Sequence, residues 1–371
     1  MTALPRNDDL ILEAERLGTT LVPIAEAGTP GRVNRQLISA LGSAGMFERV
    51  FGSNGVTAVA LCQIRQGLAR VCTEAETAFA VQGLGGASIR RHGSQRVVAE
   101  WGPGLLAGDV VAAFALTEPD AGSDAAALTL RAERDGDSYR LTGEKAYISN
   151  APDADLATVF ARTTQGTGAK GVTAFAVPLD RDGISGDVIE MISPHALGRW
   201  SFDGVQVAGD EVLGGVDEGF RVAMSTLDLF RPSVGAFALG MAEAALSIAV
   251  DHARSREAFG APISQFQGIS HQLADVKVSI EASRHLVYDA ARTYDDGGEG
   301  ISGKSAMAKL FATETAQRAV DVAIQVLGAR GLEADSTLAH LYKEVRAPRI
   351  YEGTSEIQRN IISRELFRDP S

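Results

Sequence analysis

Val110-Val-Ala-Ala-Phe-Ala-Leu-Thr-Glu-Pro-Asp-Ala-Gly-Ser-Asp124 is the stretch on which the fold turns. A short apolar run ends in a turn of hydroxyl and small side chains, at the point where the hydrophobic period of the chain changes. Before it, Leu10, Ile11, Ala14 and Leu17, then Val33, Leu37, Ala40 and Leu41, recur at helical spacing. Gly52 to Gly55 interrupts, and an Ala-rich helical pattern resumes from Val56 to Val81. After it, Leu128, Leu130 and Ala132 alternate with polar residues, Asp135-Gly136 offers a hairpin turn, and Tyr139 and Leu141 alternate again. Val172–Val177 and Val205–Val207 are further strand candidates. From Gly219 the period is helical again. Ile263, Phe266, Ile269, Leu273, Val276 and Ile280 mark one helix face, and Ala306, Leu310, Thr313, Val320, Ile324 and Leu327 another. Asp295 to Gly303 is a polar break between them. A last helix follows Gly353, with Ser355 and Gln358 as a capping box. The order predicts an α+β chain: a helical domain over 1–110, a β domain over 111–213, and a helical domain over 214–371.

Composition sets outer bounds. At about 100–200 residues per domain, a chain of 371 residues holds two or three units. Lys plus Arg number 35 against 47 Asp plus Glu, a net charge of −12, so the global basic footprint of a duplex-binding protein is absent. Cys62 and Cys72 stand ten apart with no partner pair, which excludes a disulfide scaffold and a CxxC site. Buried free thiols in a reducing cytoplasm are the natural reading. Met1 to Asp9 has no apolar core of a signal peptide. The least polar stretch, Val234 to Val250, contains Glu243 and falls short of the roughly 20 residues that span a bilayer. The composition reads as a cytoplasmic protein with neither membrane nor nucleic-acid partner.

Gly298-Glu-Gly-Ile-Ser-Gly-Lys-Ser305 fits the GxxxxGKS phosphate loop. That chemistry needs a preceding strand, and Leu286, Val287, Ala290, Ala291 and Tyr294 precede it at helical spacing instead. The segment therefore reads as a helix–helix connection. No GxGxxG, GxSxG or HExxH occurs, and the six histidines form no metal-ligand pattern with a carboxylate. No metal is expected.

Three segments carry more. Phe114 to Asp124 forms a polar lip with hydroxyl and backbone donors, or an ordinary strand-ending turn. In Gly143-Glu-Lys-Ala-Tyr-Ile-Ser-Asn150 an aromatic and a hydroxyl two apart point to one strand face, where a flat ring could lie, or the strand is simply capped by Asn150. In Ile350-Tyr-Glu-Gly-Thr-Ser-Glu-Ile-Gln-Arg359, Glu352 precedes a helix N-terminus, Gly353 permits close backbone approach and Thr354 can donate. The bland reading of Glu352 is a capping carboxylate favoured by the helix dipole.

Together and in this order, these segments resemble the acyl-CoA dehydrogenases. Thr117-Glu-Pro-x-Ala-Gly-Ser-Asp124, Arg256-x-x-Phe-Gly260, Phe266-Gln267, Gln325-x-Leu-Gly328 and Tyr351-Glu-Gly-Thr354 carry the resemblance, which covers nearly the whole chain. It implies an N-terminal helical domain, a middle β-barrel-like domain and a C-terminal four-helix bundle. It implies FAD, with Phe114, Leu116, Thr117, Gly122, Ser123, Tyr147, Ile148 and Ser149 as neighbours from the β zone. Arg256, Phe259, Phe266, Gln267, Gln325, Gly328, Thr354 and Glu356 would be its neighbours from the helical zone, Arg256 on the pyrophosphate of a neighbouring subunit's cofactor. Glu352 matches the catalytic base, and Ser123, Asp228, Arg231 and Gly353 match substrate positions. The implied reaction is oxidation of an acyl thioester by α-proton abstraction and hydride transfer to the flavin, in a homodimer or homotetramer. The electron acceptor is a flavoprotein or oxygen.

One departure bears on the carrier. After Gly198-Arg199 the family has a Ser/Thr-rich stretch that helps hold CoA, whereas here Trp200-Ser201 run straight into Phe202-Asp-Gly-Val205. Short chains of this kind resemble dehydrogenases of polyketide extender-unit pathways, such as the methoxymalonyl or hydroxymalonyl ones, that act on acyl groups held by an acyl carrier protein. Arg199 and Arg231 are candidates for docking that carrier. The alternatives are an ordinary short- or medium-chain acyl-CoA dehydrogenase, and a flavin oxidase or monooxygenase on the same scaffold.

Overall fold

The structure, a computed structural model, describes residues 9–52, 57–151 and 153–367. The signal-peptide reading of residues 1–8 and most of the break at Gly52 to Gly55 lie outside them. Six helices open the chain: α1 (Asp9–Glu26), α2 (Arg35–Ser43), α3 (Glu48–Phe51), α4 (Ala58–Ala69), α5 (Thr73–His92) and α6 (Gln95–Ala107). Their starts follow capping chemistry. Asn34, Thr57 and Ser94 each accept a bond from the backbone N–H three residues on, and α6 stops at Gly108 in the left-handed region (φ 78°).

A mixed sheet follows, built from β1 (Ala112–Ala115), β2 (Arg131–Asp135), β3 (Ser138–Ser149), β4 (Leu156–Arg162), β5 (Val172–Pro178), β6 (Ile184–Val188), β7 (Leu197–Ala208) and β8 (Val212–Leu213). The strand path is β6-β7-β3-β2-β4-β5-β8, with β1 parallel to β4. The ends of the path, β6 and β8, do not pair, so among the described residues the sheet is open, not a closed barrel. The β2–β3 hairpin closes at Asp135↔Ser138, as the Asp135-Gly136 signal predicts. Leu128 and Leu130 stay outside β2. β4 escapes an alternation search because all its residues are buried and it reads as one apolar run. β7 runs unbroken through Gly198–Phe202, paired with β6 on one side and β3 on the other.

The remaining chain is helical: α7 (Gly219–Ser255), a hairpin of β9 (Glu257–Ala258) and β10 (Ala261–Pro262), α8 (Gln267–Asp295), α9 (Ile301–Leu327), α10 (Thr337–Glu344) and α11 (Ser355–Leu366). Three sequence expectations shift. The α8 face begins inside the helix, because Ile263–Gln265 is a 3-10 turn and Phe266 is extended. The N-cap of α11 is Thr354, whose hydroxyl accepts from Ile357 N–H; the Ser355 hydroxyl instead donates to Glu314 Oε1 at 2.7 Å, so no Ser355–Gln358 capping box forms. The apolar stretch 234–250 lies within α7, whose 37 residues are long and apolar enough to cross a membrane by those measures alone, but 67% of its most apolar window is buried within the protein. The GxxxxGKS segment joins α8 to α9. Lys304 Nζ there donates to Thr293 Oγ1 at 2.9 Å and pairs with Asp289 at 2.9 Å.

The described chain divides into two compact units. One takes residues 9–20, 57–76 and 228–367; the other takes 21–52 and 77–227. In the first, α8 packs on α9 and on α4, and α9 carries α10 and α11. In the second, the sheet buries Phe160, Phe175 and Trp200. Cys62 and Cys72 are free and buried; burial raises both thiols, that of Cys72 to about 12.

Candidate active site

In the helical unit the chain turns sharply between the 3-10 turn Ala347–Arg349 and α11, and Glu352 sits at the turn. Glu352 has φ 51° and Gly353 φ 94°, both left-handed. Gly353 is required twice over, since a Cβ there would also lie 2.6 Å from Gln358 Nε2. The turn is held by its carbonyls. Gln358 Nε2 donates to the Glu352 and Gly353 carbonyls at 3.3 and 2.9 Å, Lys309 Nζ to Gly353 O at 2.7 Å, and Arg231 Nε to Glu352 O at 3.5 Å. Because backbone is gripped, the Glu352 carboxylate stays free. Its Oε2 is buried with no hydrogen-bond partner. Burial pushes the carboxyl above its ordinary range, opposed by Arg65, Lys309 and Arg231. Thr354 does the capping, so Glu352 is not the capping carboxylate. A desolvated, unpartnered carboxylate beside cations is the setting of a general base.

The groups around it are buried and charged. Arg231, 7% exposed, pairs with Asp228 at 3.1 Å, and burial raises the Asp228 carboxyl. Arg231 therefore cannot serve a surface docking patch, whereas Arg199 is exposed and pairs with Asp187 at 3.1 Å. Burial lowers the Lys309 ammonium to about 8. Tyr351 is partly exposed, but burial holds its phenol well above the ordinary range. Sequence reasoning missed Lys309, and also Arg65, which pairs with Glu76 inside the same unit. The signal for Arg65 was available: it shares a helical face with Leu61 and Leu68.

The other helical-unit candidates lie on the surface. Arg256 follows directly on α7, and Phe259, 98% exposed with φ 52°, forms the tip of the β9–β10 hairpin edge-on to Phe266. Gln267, Gln325, Gly328 and Glu356 are exposed. Gly328 ends α9 at φ 63° and ψ −139°, a conformation open to glycine. Arg330, also exposed and not foreseen, joins Arg256 in depressing His252, whose imidazole burial lowers first.

In the β unit the turn Thr117–Asp124 is pinned from below. Lys145, fully buried, donates to Leu116 O at 3.0 Å and to Glu118 Oε1 at 2.8 Å. Glu118 also accepts from Thr129 and Leu130 N–H, which with Lys145 hold it below the usual carboxylate range against burial. The upper side of the turn is open: Gly122 and Ser123 are exposed, and a Cβ on Gly122 would meet nothing within 4 Å. Leu116 and Ile148 are buried, and Phe114 packs on Phe160 at 4.8 Å. The β3 register shifts between Lys145 and Ile148 and Tyr147 takes φ 56°, so Tyr147 leaves the alternation set by buried Lys145, while beyond the shift burial alternates with Tyr147 and Ser149 both on the less buried side. The bulge turns Tyr147 outward, 56% exposed, and leaves Ser149 half-buried. Asn150 (φ 68°) braces the strand end, its Nδ2 donating to Ala112 O at 2.8 Å. A groove of about 600 Å³ in this unit, lined by His92, Arg134, Tyr139 and Asp210 among others, contains none of these residues.

Each unit, taken by itself, carries features that fit a bound ligand. Bulged strand, open donor turn, glycine-only helix end and solvent-facing Phe259 are each costly or idle without a ligand. Exposed Arg256 and Arg330 suit a diphosphate.

Comparison with known proteins agrees across the chain. It matches the acyl-CoA dehydrogenase N-terminal domain over residues 14–109, the middle domain over 113–205 and the C-terminal domain over 217–367. It is 34% identical over 351 residues to a Mycobacterium tuberculosis protein described as "probable acyl-CoA dehydrogenase FadE25", covering 93% of this chain and 90% of that one. It is 39% identical over 283 residues to the human mitochondrial short-chain specific acyl-CoA dehydrogenase, covering 76% and 68%. The solved structure of butyryl-CoA dehydrogenase from Megasphaera elsdenii superposes with a TM-score of 0.92 at 31% identity, covering 99% of this chain and 100% of that one.

Proposed function

The chain belongs to the acyl-CoA dehydrogenase family, and from that premise we propose that it oxidises an acyl thioester with Glu352 as the base that removes the α-proton. The observation that carries this reading is the buried Glu352 carboxylate with Oε2 unpartnered and three cations within electrostatic reach. FAD, the cofactor of the family, supplies when bound the acceptor for the β-hydride. From the β unit, Phe114, Leu116, Thr117, Gly122, Ser123, Tyr147, Ile148 and Ser149 would hold it; from the helical unit, Arg256, Phe259, Phe266, Gln267, Gln325, Gly328, Thr354 and Glu356 would do so.

The chain's own work is positional and electrostatic. Ionised Glu352 takes the α-proton onto its carboxylate, and desolvation makes that carboxylate a stronger base than one in water. Lys309, Gln358 and Arg231 fix the turn through its carbonyls, so proton transfer does not require the backbone to reorganise. Asp228 and Arg231, with Ser123 and Gly353, would line the thioester arm. We assign residues 1–110, 111–213 and 214–371 to three domains sharing this task, in a homo-oligomer.

A second, finer reading concerns the carrier. The unbroken β7 ladder at Gly198–Phe202 leaves no excursion there to hold a CoA nucleotide, which supports an acyl carrier protein as the bearer and a place in polyketide extender-unit supply. Exposed Arg199 would contact it. Anaerobic flavin bleaching against matched acyl-CoA and acyl-carrier thioesters tests both levels. Bleaching by either class supports the dehydrogenase reading, and the faster class identifies the carrier. Oxygen consumed in stoichiometry with product would instead favour an oxidase.

A further inference from the structure

Arg65 on α4 and Glu76 on α5 form a charged pair whose side chains are 3% and 0% exposed. Arg65 opposes the upward shift of Glu352, but neither side chain of the pair takes the α-proton. Arg65 Nε–H donates to Glu76, and Nη1–H donates to Ser233 Oγ at 2.8 Å. Ser233 in turn gives its proton to Phe230 O at 2.6 Å, and the guanidinium lies 5.7 Å from the centre of the Phe237 ring. Among the described residues, Nη2 of Arg65 donates to nothing. A guanidinium with two further N–H donors thus stands inside the helical unit, within electrostatic reach of Glu352 and Tyr351.

A buried ion pair is commonly no more stabilising than apolar residues of the same volume. A pocket for plain hydrocarbon would gain nothing from this one, and a hydrocarbon chain beside it would leave the Nη2 donors unsatisfied. The charge balance is informative as well. Glu76 already neutralises Arg65, and ionised Glu352 lies nearby, so a substrate carboxylate would add a third negative charge to one guanidinium. A neutral oxygen fits.

We propose that Arg65 is a specificity-determining residue that donates from Nη2 to a neutral oxygen on the acyl group, so that hydroxy-, alkoxy- or keto-acyl thioesters are preferred over hydrocarbon acyls. The assignment rests on Glu352 being the α-proton base, since Arg65 and Glu352 interact electrostatically within the same unit. Pantetheine thioesters, whose arm is common to both carriers, provide the test on the FAD-loaded enzyme. Butyryl, 2-methoxybutyryl, 4-hydroxybutyryl, 4-methoxybutyryl and succinyl thioesters are compared by anaerobic flavin bleaching, and binding of their non-hydrolysable ketone analogues by calorimetry. One charge-assisted hydrogen bond predicts that a neutral oxygenated acyl exceeds butyryl and succinyl by about tenfold to hundredfold in both readouts. In Arg65→Met/Glu76→Leu that ratio falls to about unity, each rate being taken relative to butyryl in the same variant. Arg65→Lys, which keeps the pair with Glu76 but lacks the Nη2 donors, gives the same collapse should the double variant fail to fold. Bleaching by all thioesters alike, or a preference that survives both variants, overturns the assignment of Arg65 alone. Bleaching by none overturns the function as well.

Discussion

Replacing Glu352 by Gln separates catalysis from stability, because the two should move in opposite directions. The side chain is nearly isosteric, and the turn is held through carbonyls of residues 352 and 353 that the change does not touch. Loss of the proton acceptor should slow anaerobic flavin reduction by at least the ~10²–10⁴-fold that general-base catalysis contributes. Stability should rise. Burial raises the folded-state pKa of Glu352, so its favourable contribution is complete below the unfolded value near 4.3 and is lost as pH climbs through the folded value. Above that window the wild type carries an ionised carboxylate with a buried, unpartnered oxygen. An unsatisfied buried polar group costs about 1–3 kcal/mol, more when charged, and the three nearby cations offset part of this. For a chain of this length a kilocalorie moves the melting temperature by roughly 1–2 °C, so at pH 8 the variant should melt about 1–5 °C higher. At pH 4.5 the two proteins should converge. Stopped-flow bleaching and differential scanning calorimetry at both pH values read the two effects on the same samples. A rate loss under tenfold, or a variant less stable than wild type at pH 8, would refute the role of Glu352 as a desolvated base.

Three further outcomes are expected. Lys145→Met strands Glu118 in the interior, which costs about 3–5 kcal/mol; denaturant unfolding should register that loss, and the freed Thr117–Asp124 turn should release FAD on gel filtration. Arg256→Ala should weaken FAD by about tenfold to hundredfold and lower the oligomeric state in sedimentation on the proposal that Arg256 holds a neighbouring subunit's cofactor through a charge-assisted bond; unchanged affinity removes Arg256 from the site. Lys304→Ala removes a surface pair with Asp289 and should alter stability by no more than about 0.5 kcal/mol, with no saturable ATP binding in either protein by equilibrium dialysis.

The sequence and the structure agree where chemistry is local. Thr117–Asp124, the Asp135-Gly136 hairpin and the turn at Glu352 are each specified by adjacent residues, so their motifs carry both shape and site. They part company where the cause is distant. β4 has no alternation because both its faces are covered, and neither face is visible from its own residues. Tyr147 leaves the strand alternation because a bulge against β7 intervenes, and a bulge depends on the partner strand. Arg65 and Glu76 lie eleven positions apart on different helices; that they meet, and that both are buried, follows only from how α4 and α5 pack. Glu352 shows the middle case. Its turn is legible, but what favours base over cap is not, because Thr354 takes the cap and Lys309 and Arg231 arrive from elsewhere in the chain.

The division of the chain into interleaved segments has a consequence for how the protein is made. Residues 9–20 belong with residues 57–76 and with residues 228–367, the last segment beginning 208 positions after Thr20, while residues 21–52 and 77–227 form the other unit. At about 5–20 residues per second of synthesis, the 9–20 segment waits on the order of ten to forty seconds for the 228–367 segment to begin. During that interval α4 can already cover Ile11 and Ala14, which lie against Gly67, but the side of α4 that packs on α8 is uncovered, a span in which a nascent chain depends on chaperones. The same interleaving means that no single cut separates the two units. A fragment ending near residue 227 carries one complete unit and orphaned pieces of the other, and should be recovered as an aggregating or chaperone-bound species rather than as a folded half.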